Sequence, residues 1–347
     1  LRLTKNLRRV VTLIKIILDK RAHDILCSCK NVVYWELSGN NLILTYSCDG
    51  VTKAYLVPNQ CDGTLHIFTE KNQIFKQLTL QGETVSVSID VAGHMLQFST
   101  RFGTICAIAI EEGNSEFHIN PAEQTTIVPG NKLNYLAKVL SAVSEYGKNL
   151  GVNPTIQIDE QIVTIAHHQF VIELNVSFGF HAILYAKTLL NLINSIPHPE
   201  GLAFGVSSDG IYASDGHNEM SVAQCIRDVC SEVSTPFKQS VANGAYLNCE
   251  VLREDLLGML SVFKLQPYNQ AALLFNETSV GFRILSPECN FSSEIPDSIV
   301  FLTNLAMLKL ITRVSDSYYF KEGGNNLLCL STTNMNMKCV GQLFTKI

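Results

Sequence analysis

Three observations in the sequence predict an α+β fold built from three repeated domains, each with two helices packed on antiparallel sheets. Six segments carry helical periodicity. They form two interleaved series, one repeating at about 120 residues and the other at roughly 115–120. Between them the chain alternates at period two, in short runs broken by Gly, Asn, Asp and Pro.

The first helix is read over residues 4–20, where Leu7, Val10, Val11, Ile14, Ile17 and Leu18 form an apolar stripe. The third is read over 131–148 on Leu133, Leu136, Val139, Leu140 and Val143, and the fifth over 250–265 on Leu252, Leu256, Leu257, Leu260 and Phe263. Shorter helices are read over 70–78, 182–195 and 303–314. Hairpins fill the intervals. Val32–Trp35 faces Leu42–Thr45, Thr155–Ile158 faces Ile162–Ile165, and Ala271–Phe275 faces Ser279–Leu285. Breaks near Asn120-Pro121-Ala122 and from Asp228 to Pro236 divide the chain into domains over 1–122, 123–235 and 236–347.

Composition narrows the class. The 347 residues are 46% hydrophobic and 16% charged, which is globular and far from disorder. Eleven scattered cysteines include one close pair, Cys27 and Cys29, whose spacing places both on one face of a strand. No further ligands stand at zinc-site spacing, so free thiols in a reducing compartment are expected, with no metal and no cofactor. His167-His168 has no third ligand in view. Three Asn-x-Ser/Thr matches, at Asn175, Asn276 and Asn290, read as chance. Lys15 interrupts the apolar run at the N-terminus and Asp19-Lys20-Arg21 follows it, which fits an amphipathic helix better than a secretion signal. No run reaches the ~18 apolar residues of a membrane span. A cytoplasmic protein is expected, in the host cytoplasm if the source is a virus.

The net charge of −5 argues against a protein that simply coats nucleic acid. Its distribution argues differently. The six helices with their flanks hold seventeen basic and six acidic groups, while the remainder of the chain is acidic. Surface helices ordinarily carry Glu beside Lys and Arg. Here Glu is scarce on all but the fifth, so the helices read as facing a polyanion.

Several stretches resemble the DNA polymerase sliding clamp family, of the bacterial three-domain beta-clamp type. The final third carries most of the likeness: residues 246–260, the hairpin at 271–287, Phe291-Ser-Ser-Glu-Ile-Pro and Phe301-Leu-Thr-Asn-Leu-Ala-Met-Leu-Lys-Leu-Ile. Ile183-Leu-Tyr-Ala-Lys187 is similar to the family's entry into its second helix. Leu42-Ile-Leu-Thr-Tyr-Ser-Cys-Asp49-Gly is similar to a strand ending in an aspartate turn. Two departures stand out. Ile165-Ala-His167-His168-Gln169-Phe170 replaces the family's Thr-Asp-Gly-His-Arg stretch, and Gly341-Gln-Leu343-Phe344-Thr-Lys-Ile347 replaces its Met-Pro-Met tail. Such drift suits a viral or plasmid-borne clamp.

The resemblance implies a head-to-tail homodimeric ring around double-stranded DNA, with helices lining the hole and sheets outside. Lys5, Arg9, Lys71, Lys76, Lys132, Lys138, Lys187, Arg253, Lys309 and Arg313 would reach phosphates without reading sequence. It places an apolar groove for short peptides of a DNA polymerase and a clamp loader around Ile165, His168, Val171, Pro236, Phe237, Val241, Leu343 and Phe344. Val262, Phe263 and Leu265 would face the ring interface, where edge strands of two chains join.

Other classes are weaker. No P-loop, G-x-G-x-x-G, H-E-x-x-H or G-x-S-x-G is present, so no enzyme is expected. Ser214-Asp215-Gly216-His217 reads as turn chemistry. A virion structural or assembly protein accounts for repeats but not for basic helices. A subunit of a heteromeric checkpoint-type clamp accounts for both.

Overall fold

A computed structural model describes residues 13–29, 32–58, 64–70, 84–91, 93–100, 103–113, 119–167, 170–226, 245–263, 270–276, 280–284, 299–314, 317–323, 327–332, 337–341 and 345–346. The chain divides into two compact units, residues 1–121 with 214–223, and residues 122–213 with 224–347.

In the first unit, strand Leu13–Asp19 pairs antiparallel with Thr84–Asp90, followed by Met95–Thr100 and Gly103–Ala109. Helix α1, Lys20–Ser28, leaves the first strand without a loop. Asp19 caps it, its Oδ1 accepting from the Ala22 amide at 2.7 Å. A second sheet runs Glu219–Ala223, Val51–Pro58, Asn41–Cys48, Val33–Ser38, Thr64–Thr69 and Glu111–Glu112. One apolar core holds Ile16, Leu18, Ala22, Leu26, Trp35, Leu44, Ile67, Val87, Ile89 and Phe98. The Trp35 indole, fully buried, donates to Thr69 Oγ1 at 2.8 Å.

Two expectations change here. Residues 13–19, read as the second half of a helix, form a strand. Ile16 and Leu18 are buried while Lys15 and Ile17 are exposed, the alternation of a half-buried strand rather than a helical stripe. The helix begins where that expected helix ended. Cys27 and Cys29, read as sharing a strand face, lie instead on α1 and at its C-cap, with Cys27 Sγ 3.6 Å from His23 Nε2. The expected helix at 70–78 lies outside the described residues from 71 onward.

The second unit holds helices α2 (Gly130–Leu150), α3 (Ala186–Ile193), α4 (Arg253–Phe263) and α5 (Leu305–Val314). Leu133, Leu136, Val139, Leu140, Val143 and Tyr146 give α2 its buried stripe, and Gly151 ends it in the left-handed conformation at φ 70°. Each helix again follows a strand directly: Thr126–Pro129, Ala182–Tyr185, Ala245–Leu252 and Ile299–Asn304. The expected helices beginning at 182, 250 and 303 therefore absorbed two to four residues of strand.

A twelve-stranded sheet backs this unit. Thr155–Asp159, Ile162–His167 and Phe170–Leu174 form a meander. The last strand then pairs Met337–Gly341 in register from Phe170↔Gly341 to Leu174↔Met337. The sheet continues through Leu327–Thr332, Thr345–Lys346, Ile299–Asn304 and Gln270–Phe275 to an edge at Val280–Ile284. The expected middle and last domains are thus joined by main-chain hydrogen bonds. α3 packs on α2, α2 on α5, and α5 on α4, so the four helices form a row.

Candidate DNA-facing surface

The helix row collects the described cations expected to face DNA. Lys132 and Lys138 are exposed on α2, Lys187 is exposed at the second position of α3, and Lys309 is half-buried on α5. None of the four forms an ion pair among the described residues. The geometry follows from the stripe on α2. Its apolar positions face the unit's core, which leaves positions 134, 138, 141, 145 and 148 along the opposite face.

The two arginines of this set have partners within the row. Arg253 Nε, on α4, donates to the Thr312 carbonyl of α5 at 2.7 Å and satisfies an acceptor in the last turn of that helix. Arg313, on α5, pairs with Glu145 of α2. Both link neighbours in the row, so they contribute to its assembly more directly than to a ligand. Lys5, Arg9, Lys71 and Lys76 lie outside the described residues.

Arg21 was counted with the helix cations, and the structure uses it otherwise. Its Nε and Nη2 each donate at 2.7 Å to the two carboxylate oxygens of Glu219, within the first unit. Hydrogen bonding to Glu219 raises the guanidinium pKa above its ordinary value, against the opposing effect of burial. Tyr55 Oη donates to Asp19 Oδ2 at 2.5 Å. Burial pushes the Tyr46 phenol up to about 12, partly offset by the Arg21 charge, and pushes Tyr55 up as well. The Asp215 turn positions Glu219, since Asp215 Oδ1 accepts from the amides of His217, Asn218 and Glu219, with Gly216 at φ 78°. The sequence marks this stretch as turn chemistry and carries no signal that ties Glu219 to Arg21, 198 positions away.

The expected peptide groove is corrected at two positions. Ile165 and Val171 are fully buried at 0% exposure, so both are core of the meander and offer a peptide no surface. The register, Ile165↔Ile172 and Ala166↔Val171, puts the two on opposite faces of the meander, and both faces are buried here. His167 is also core, its ring 5.6 Å from Tyr146 and 5.3 Å from Phe170 between centroids. His168, Pro236, Phe237, Val241, Leu343 and Phe344 lie outside the described residues. So does Leu265. Val262 and Phe263 close α4, and their side chains are outside the described set. Among the described strands, Gly103–Ala109 and Val280–Ile284 each end a sheet. Among the described residues no group of three or more His, Cys, Asp or Glu could hold a metal, and no helix is long and apolar enough to cross a membrane.

Repeated strand-to-helix units, a continuous sheet and a row of helices behind it define the DNA sliding clamp fold. Solved structures bear this out along nearly the whole chain. The DNA polymerase sliding clamp of Bacillus subtilis superposes with a TM-score of 0.77, at 11% identity, over 97% of this chain and 99% of that one. The DNA polymerase III subunit beta of Pseudomonas aeruginosa gives 0.75 at 12% identity over 96% and 99%. The DNA polymerase III beta subunit of Thermotoga maritima gives 0.72 at 12% over 96% and 99%. No protein-family model and no curated protein matches the sequence. The likeness is one of fold.

Proposed function

We propose that this chain is a DNA sliding clamp, a processivity factor that encircles double-stranded DNA and tethers replication proteins to it. The observation that carries the reading is the helix row of the second unit, backed by one continuous sheet and bearing exposed Lys132, Lys138 and Lys187 in a chain of net charge −5. A wall with cations on one side and acidic surface elsewhere attracts duplex DNA to that side alone, and long lysine side chains grip phosphates without base readout. The fold shared with solved sliding clamps supplies the geometry in which such a wall curves around a duplex.

The proposal extends to assembly and partners. Three repeats, over 1–122, 123–235 and 236–347, would give a homodimer six domains. Joining the edge strands Gly103–Ala109 and Val280–Ile284 of two chains would close the ring and remove both exposed edges. The chain acts without catalysis or cofactor, in the cytoplasm or in that of a host. It receives short peptides of a polymerase and a clamp loader in a groove that includes Pro236, Phe237 and Leu343.

Charge reversal tests the reading. Replacing Lys132, Lys138, Lys187 and Lys309 by Glu is expected to abolish retention on nicked circular DNA while the solution mass stays that of a dimer. Undiminished retention by that variant would refute the assignment. A wild-type chain that stays monomeric until a different subunit is added would instead favour a heteromeric ring.

A further inference from the structure

We draw no further inference here: the strongest candidate, the strand Thr126–Pro129 that ends its sheet among the described strands and carries Ile127 at 73% exposure, supports none, because nothing in the structure shows what covers it.

Discussion

Removing the Arg21 guanidinium is expected to destabilise the first unit by about 2 kcal/mol, through the charge it leaves behind more than the contact it breaks. Glu219 is 12% exposed at its side chain and accepts two hydrogen bonds from Arg21, each at 2.7 Å. Breaking a buried pair by deleting one partner costs about 3–5 kcal/mol. Arg21 is 37% exposed, so solvent screens the pair, and that range must be discounted toward the surface value. Glu219→Gln is expected to cost less, about 1 kcal/mol, because the guanidinium left behind can turn to water. A double-mutant cycle with Arg21→Ala should then give a coupling energy of about 1 kcal/mol. The assay is urea unfolding followed by Trp35, the only tryptophan in the chain and fully buried in the first unit. The expected signature is a lowered midpoint at unchanged slope. If Arg21→Ala unfolds within about 0.5 kcal/mol of wild type and the cycle shows no coupling, the argument from Glu219 burial is refuted.

Two further outcomes are expected of the same fold. Tyr46 and Tyr55 are held protonated by burial, Tyr46 up to about 12, so the folded state releases its phenol protons later than the unfolded chain does. Stability of the first unit is therefore full below pH ~10 and falls as pH rises toward ~12. Tyr46→Phe should flatten that fall when urea midpoints are compared across the range. In the second unit, a Cβ at Gly130 would lie 2.6 Å from the carbonyl oxygens of both His198 and Pro199. Gly130→Ala should therefore cost about 1–3 kcal/mol despite its better helix propensity, read as a lowered thermal midpoint.

The parts of the fold legible in the sequence are those fixed by local chemistry. The turn at Asp49-Gly50 is legible through the resemblance to a strand that ends in an aspartate turn, and local chemistry accounts for it, because a tight turn between twisted strands needs φ > 0 at both central positions and here φ is 53° and 79°. The α2 helix is legible because its apolar spacing holds over about four turns and the helix ends on a glycine. Strand-to-helix junctions are not. At Tyr185/Ala186 an apolar strand runs into an apolar helix without a polar break, and the short apolar run before Asp19 fits either period. The strand Leu13–Asp19 shows its identity only when Thr84–Asp90 lies beside it.

For the candidate site, charge could be counted but not placed. Lys132, Lys138 and Lys187 are exposed as their spacing implies, while Arg21, Arg253 and Arg313 find partners 198, 59 and 168 residues away. No periodicity encodes contacts at such separations. Ile165 and Val171 failed as groove residues for the opposite reason. An apolar residue on a strand looks the same in sequence whether it lines a groove or fills a core, and what covers each face of the sheet decides it.

Encirclement is a topological state, and one measurement addresses it directly. The protein is loaded on nicked circular duplex DNA, isolated with it by gel filtration at a salt concentration that removes ordinary surface binding, and the circle is then cut once. A ring is expected to co-elute with the intact circle and to be lost within minutes of cutting, because it slides off the new ends. Protein that stays bound after the cut, or that never remains on the intact circle, would contradict the account.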